Sequence, residues 1–265
     1  MLYYRSFPHP SSTEWVVFIH GAGGSSAIWY KQVREFREWF NIILLDLRGH
    51  GGSAGGSSSG EAYSLEMVCA DIIRVLDDAR VDRAHFAGVS LGSILMRALL
   101  DYHPERVLSM VMTGAITRMN MWARFLLVSG HILKYVVPFR VLYASFAWIV
   151  MPGKKAREAR RVFRTEAMKV TPAEFRRWLT LTAQVQSELR RWRSDGGSRP
   201  ILYVMGGHDY MFRPPAEELA HRFDNVRCEI IEASGHVCNV EEPDAFNLLA
   251  IGFLQEQSGT PARTA

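Results

Sequence analysis

The sequence predicts an α/β fold, a mostly parallel sheet with helices on both faces, interrupted by an all-helical insertion. Three observations predict it. Short apolar runs such as Trp15–Ile19 and Asn41–Leu45 alternate with amphipathic helical patterns, and a strand that is apolar along its whole length is one buried on both faces, as parallel strands are. Most of these runs end in a glycine-rich or polar turn. From Thr117 to Ser194 the alternation stops, leaving only helical patterns broken near Pro138, Pro152-Gly153 and Pro172.

Each element follows in order. Trp15-Val16-Val17-Phe18-Ile19 is a β-rich run that opens into His20-Gly21-Ala22-Gly23-Gly24-Ser25. Ile28 to Phe40 places Trp29, Val33, Phe36 and Phe40 at helical spacing. Asn41 to Asp46 is a second buried strand. It ends at Arg48-Gly49-His50-Gly51-Gly52-Ser53 and a Gly/Ser-rich loop reaching Gly60. Over Ser64 to Ala79, residues Leu65, Val68, Ile72, Val75 and Leu76 share a helix face, and Ser64 is placed to cap it. Ala84-His85-Phe86-Ala87 begins a strand that leads to Ser90 and then to a helix ending near His103. Val107–Met112 is the next strand. After the insertion come strands at Ile201–Met205 and Val226–Ile231, with helices at Pro215–Phe223 and near Pro243–Gln255. The tail Ser258 to Ala265 is expected to be disordered. The chain thus divides into a core of residues 1–116 and 195–257 and a helical insertion of residues 117–194.

A chain of 265 residues with 48% hydrophobic and 22% charged residues is long enough to bury a core without staples. Cys69, Cys228 and Cys238 form no CxxC pair and no zinc-type spacing, so reduced thiols and no metal site are expected. Met1-Leu2-Tyr3-Tyr4-Arg5-Ser6-Phe7-Pro8 lacks an apolar core of signal-peptide length. The longest uncharged apolar stretch, Val141 to Met151, is too short to span a bilayer. A cytoplasmic protein without stable membrane insertion is expected. Charge is uneven: Arg118 to Pro200 holds 17 basic and 5 acidic residues, a net +12, whereas the remainder holds 14 basic and 22 acidic, a net −8.

Chemistry concentrates where strands end. Gly88-Val89-Ser90-Leu91-Gly92 lies between a strand and a helix. A sharp turn there forces the serine toward positive φ, and the flanking glycines leave room for it. Asp209 follows the strand ending at Met205, and His236 follows the strand ending at Ile231. A serine hydroxyl is a poor nucleophile until an imidazole takes its proton, and a carboxylate fixes the tautomer of that imidazole. The charge developing on a substrate oxygen needs donors. The amide of Leu91, at the helix start, and one from the His20–Gly23 loop are candidates, Ala22 before Gly23. His20 reads as a loop-shaping residue, His85 as a core histidine, and His50 and His208 as loop histidines facing solvent or the pocket. Asp46 and Arg48 read as residues that hold their loop.

The set His20-Gly21, Asp46-x-Arg48-Gly49-x-Gly51, Gly88-x-Ser90-x-Gly92, Gly207-x-Asp209 and Gly235-His236 resembles the α/β-hydrolase superfamily, from about Glu14 to Phe253 outside the insertion. The resemblance implies the α/β-hydrolase fold, with the insertion, between the sixth and seventh sheet strands, acting as a cap. It implies a serine-nucleophile, esterase-like branch, because Ser90 stands where the epoxide hydrolase and dehalogenase branches carry aspartate. It also implies no metal or organic cofactor.

On this reading the protein is a serine hydrolase of a small or medium carboxylic ester. Ser90 is its nucleophile, His236 the base, Asp209 the orienting acid, and Ala22 and Leu91 the oxyanion donors. Gly21, Gly23, Trp122, Phe125, Phe146 and Trp148 are the expected substrate contacts. The same three residues would also serve a lactonase or a C–C bond hydrolase. The latter needs a cationic pocket, for which Arg124, Arg176 and Arg177 are candidates. A slow-turnover ligand receptor signalling through its cap is the reading from a different class. The basic run from Lys154 to Arg164 reads first as a solvated helix face, and second as an attractor of acidic substrates or an anionic membrane surface. No motif supports nucleic-acid binding, and the expected partner is a small ester or related acyl substrate. The sequence leaves oligomeric state open.

Overall fold

The computed structural model describes residues 1–55, 62–133, 136–153 and 156–258. The end of the expected Gly/Ser-rich loop, at Gly60, lies outside the described residues, as do Lys154, Lys155 and the tail from residue 259.

Seven strands form one sheet: β1 (Tyr4–Phe7), β2 (Trp15–Ile19), β3 (Asn41–Leu45), β4 (Ala84–Val89), β5 (Val107–Thr113), β6 (Ile201–Gly206) and β7 (Val226–Ile231). Their spatial order is β1-β3-β2-β4-β5-β6-β7. All neighbours pair in parallel except β1, which runs antiparallel to β3. The helices of the body are α1 (Tyr30–Phe36), α2 (Leu65–Asp78), α3 (Leu91–Tyr102), α8 (Arg213–Arg222), α9 (Cys238–Glu241) and α10 (Pro243–Ser258). Between β5 and β6 lie four helices, α4 (Met121–Leu133), α5 (Phe139–Val150), α6 (Arg157–Ala167) and α7 (Pro172–Trp192). The helical segment therefore follows the fifth of the seven strands, not the sixth as the resemblance implied.

The continuous apolar strands follow from burial on both faces. Val17, Ile19, Ile43, Leu45, Met110, Met112, Tyr203 and Met205 point into one core, with α2 and α3. Val16, Phe18, Ile42, Leu44, Val111, Leu202 and Val204 point into the other, with α1 and α10. Period-two alternation thus separates two layers rather than core from solvent. Ser64 caps α2 as expected, its Oγ accepting from Met67 N at 3.1 Å. Thr171 does the same for α7, with Pro172 at the first helical position, where its missing N–H costs nothing.

Strand order reverses around β2 and β4: β3 lies on one side of this pair and β5 on the other. In open α/β sheets the crevice at such a switch point, outside the carboxyl ends of the strands, is where ligands bind. The His20–Ser25 loop leaves β2 there, and Ser90 leaves β4 beside it.

Candidate active site

Ser90 sits between β4 and α3 with φ +54° and ψ −112°, a conformation costly for a side-chain-bearing residue by about 1–3 kcal/mol. Its surroundings hold it there. Ser90 N donates to Thr113 O at 3.1 Å, and Ser90 O accepts from Ser93 N at 2.9 Å and Ser93 Oγ at 2.6 Å. Gly92 is required by close approach, since a Cβ there would lie 2.5 Å from the Ile19 carbonyl oxygen.

Asp209 and His236 are both buried, at 4% exposure each. His236 Nδ1 lies 2.8 Å from Asp209 Oδ2, and Asp209 Oδ1 accepts from Phe212 N at 3.2 Å. With Nδ1–H donated to the carboxylate, Nε2 is left as an acceptor. The ring rests against the bare backbone of Gly114, where a Cβ would lie 2.8 Å from His236 Cε1. Among the described residues Ser90 and His236 form no direct hydrogen bond, yet both line one cavity. Such contacts commonly tighten only when substrate binds.

Neither the Ala22 nor the Leu91 amide donates to a protein acceptor among the described residues, and both residues line the same cavity. Leu91 is the first residue of α3, where backbone N–H groups lack helical partners and the helix dipole favours negative charge. Gly23, by contrast, spends its amide on His50 Nε2 at 3.0 Å. Its Cα faces the Tyr143 ring of α5, which a Cβ at Gly23 would strike. Gly23 is not among the residues that line the cavity, whereas Gly21 is.

Two buried histidines brace this loop. His20 Nδ1 contacts Gly21 O at 2.7 Å, and His20 Nε2 accepts from Leu47 N at 3.0 Å. His50 Nδ1 contacts Arg48 O at 2.8 Å. Both rings therefore carry hydrogen on Nδ1 and are neutral. Burial lowers the pKa of His20. Burial, reinforced by the neighbouring His20, pushes that of His50 down to about 3. The expectation that His50 faces solvent or the pocket is corrected: it is buried under Trp178, at 5.4 Å between ring centroids, and does not line the cavity. Asp46 holds its loop as expected, accepting from Ser26 N at 2.6 Å and Gly52 N at 2.7 Å. Arg48 pairs with Asp71 of α2. His208 is exposed. His85 is a satisfied core residue, 2.7 Å from Ser109 Oγ.

These neutral rings have a thermodynamic consequence. Histidines in the unfolded chain take up protons as pH falls below about 6.5, whereas the folded forms of His20 and His50 resist doing so. Their stabilising contribution is complete above that pH and is lost as pH falls toward the lowered folded values. Urea denaturation should show stability falling between about pH 7 and pH 5, by on the order of 2 kcal/mol from His50 alone, with His20 adding in the same direction. A flat profile over that interval would contradict the buried, neutral assignment.

The cavity measures about 360 Å³ and opens above Ser90. Helices α4 to α7 supply much of its wall, including Leu126, Tyr143, Phe146, Phe163 and Trp178, and the body adds Met211 and Phe212. Among the described residues its lining carries no ionisable acid or base other than His236 and Tyr143, and burial raises the pKa of Tyr143, keeping the phenol neutral. Of the four aromatic residues expected to contact substrate, Phe146 does line the cavity. Trp122, Phe125 and Trp148 do not: they are 67%, 61% and 57% exposed, on the outward sides of α4 and α5. Arg124, Arg176 and Arg177 do not line it either; Arg177 pairs with Glu174 at 2.6 Å. Among the described residues no three His, Cys, Asp or Glu side chains converge as a metal site requires. All three cysteines are unpaired, and burial pushes the Cys238 thiol up to about 12.

Seven strands in this order, with a strained serine after β4 and a hydrogen-bonded Asp–His pair after β6 and β7, define the fold class. The chain has the α/β-hydrolase fold: residues 14–143 match the alpha/beta hydrolase fold family, and the solved structures that superpose on the chain share that fold. Among particular relatives, it is 25% identical over 241 residues to 3-oxoadipate enol-lactonase 2 of Acinetobacter baylyi, covering 88% of this chain and 85% of that one. An N-acyl homoserine lactone degrading enzyme superposes with a TM-score of 0.79 at 24% identity, over 95% of this chain and 96% of the other. A thermophilic esterase from Thermogutta terrifontis superposes with a TM-score of 0.80 at 16% identity, over 97% and 93%.

Proposed function

We propose that this protein is a serine hydrolase of uncharged esters with a medium-length apolar acyl group, and that residues 117–194 form its cap. The observation that carries the reading is the joint position of Ser90, His236 and the unengaged Ala22 and Leu91 amides around one apolar cavity. Ser90 Oγ attacks the ester carbonyl as His236 Nε2 takes its proton. Asp209 holds the imidazole and stabilises its charged form. The two amides receive the oxyanion, each worth about 3 kcal/mol of barrier. The alcohol leaves with the proton from His236, and water, deprotonated by the same ring, releases the acid and restores Ser90.

The lining sets the substrate class. Among the described residues the cavity wall carries no Lys or Arg to meet a carboxylate, and burying an unpaired charge there would be costly. This disfavours the C–C hydrolase alternative with an acidic substrate. It also separates this chain from a relative named for an oxoadipate, itself a carboxylate. A lactone bearing an apolar chain remains compatible with the same chemistry, and full-length similarity to an enol-lactonase supports it as the second reading.

Fluorophosphonate labelling should modify Ser90. Across p-nitrophenyl esters, kcat/KM should climb as the acyl chain lengthens, by up to about fourfold for each CH₂ buried, until the cavity is full. A maximum at acetate, or a preference for acyl groups ending in a carboxylate, would overturn the substrate class while leaving the nucleophile assignment intact.

A further inference from the structure

Helix α4 is apolar on two sides. Its inner side, with Ala123, Leu126 and Leu133, faces the cavity. Its outer side exposes Met121 (84%), Trp122 (67%), Phe125 (61%), Val128 (57%) and Ile132 (65%), a stripe at helical spacing with nothing packed over it among the described residues. The apolar surface continues past Val136 onto α5, where Val141, Trp148 and Ile149 are exposed. A soluble helix ordinarily presents polar residues outward, so two apolar faces call for a second apolar environment.

Basic side chains outnumber acidic ones around this surface. No acidic residue occurs between Glu105 and Glu158, while Arg124 and Arg140 lie on α4 and α5; Arg118, just ahead of α4, pairs with Glu218 at 3.2 Å. Arg124 and Arg140 are exposed and form no ion pair among the described residues. Helix α5 packs against both α4 and α6. Along the α5–α6 side, Arg140, Arg157, Arg160, Arg161 and Arg164 line an open groove together with Trp148, whose ring Arg160 covers at 4.1 Å. The one acid in that groove, Glu158, is drawn away by Lys31 at 2.8 Å and by Tyr30.

An exposed stripe of Trp, Phe, Val and Ile on two helices that carry no acid of their own, bordered by arginines, matches the chemistry of an anionic bilayer surface. Apolar side chains enter the headgroup boundary, aromatic rings sit at its level, and guanidinium groups meet phosphates. A second copy of this chain would bring like-charged arginines together, and a polar partner would leave the stripe in water. We propose that the outer face of α4 to α6 docks peripherally on membranes rich in anionic phospholipid. Because α4 is also a wall of the cavity, docking places the site one helix away from the lipid phase. No helix among the described residues is long and apolar enough to cross a membrane, so the contact proposed is one with its surface.

Vesicle co-sedimentation tests this with the full chain. Vesicles of equal parts phosphatidylcholine and phosphatidylglycerol should carry the protein down at low ionic strength, and pure phosphatidylcholine much less. Raised salt should weaken the association, and Trp122 emission should shift to shorter wavelength on binding. The double variant Trp122→Ser/Phe125→Ser should bind at least ~10-fold more weakly, and Arg124→Glu/Arg140→Glu should abolish the preference for anionic lipid. Both pairs are exposed, so circular dichroism should match that of the unaltered protein. Failure of the unaltered protein to bind anionic vesicles at low salt overturns the proposal. So does sedimentation as a dimer that the Trp122→Ser/Phe125→Ser pair dissociates, because a second copy would then be the occupant.

Discussion

Ser90→Ala should lower ester turnover by about 10⁴–10⁶-fold, with KM little changed and circular dichroism as before. The magnitude follows from chemistry rather than packing. The hydroxyl removed is half-exposed at the cavity floor and makes no hydrogen bond to the rest of the protein among the described residues. The strained backbone at φ +54° is held by Thr113 O and Ser93, contacts that alanine preserves. Residual activity over water would reflect the two amides and binding alone. Steady-state kinetics on the best p-nitrophenyl ester, together with loss of fluorophosphonate labelling, measures it. Turnover within tenfold of the unaltered protein would mean that the chemistry occurs elsewhere.

Asp209→Asn should cost about 10⁴-fold in kcat. In the native arrangement the carboxylate accepts from His236 Nδ1–H across 2.8 Å, inside a pair that is almost fully buried. An asparagine keeps the shape and can still accept from Phe212 N. Its amide can also donate to Nδ1, which moves the ring proton to Nε2 and leaves no base facing Ser90. It cannot balance the imidazolium charge either. Pre-steady-state acylation rates isolate this effect, because a defect in orientation appears in the acylation step while binding stays intact. A modest loss, repaired by raising pH, would instead assign Asp209 a merely electrostatic role.

Much of this geometry could be read in the sequence because strand-end chemistry is local. Gly88-x-Ser90-x-Gly92, Asp209 and His236 each follow an apolar run, and a parallel sheet brings its carboxyl ends to one side whatever the loops do. The burial of His50 was not legible. Its neighbours are glycines, and what covers it is Trp178, 128 residues further along the chain. The strand Tyr4–Phe7 carries no clear periodicity either, being four residues long and half-exposed at an edge. The misplacement of Trp122, Phe125 and Trp148 has another cause. Hydrophobic periodicity tells the inside of a helix from the outside only when one side is polar. Helices α4 and α5 are apolar around much of their circumference, so the sequence pattern alone could not choose a face. Where α4 meets the cavity, smaller residues such as Ala123, Ser129 and Gly130 line it, leaving the bulky rings outside.

The two edges of the sheet carry a different message, about how chains meet at high concentration. At β7, Arg227 and Glu229 point outward between the buried ends Val226 and Ile231, and Arg227 pairs with Glu256 of α10 at 2.6 Å. At β1, a strand of only four residues, Arg5 and Ser6 are exposed. Another strand adding to either border would have to strip water from a charge, which raises the barrier to edge-to-edge pairing and to aggregates built on it. The sheet borders are thus guarded against sticking through their backbone, while the apolar stripe of α4 stays open beside its arginines.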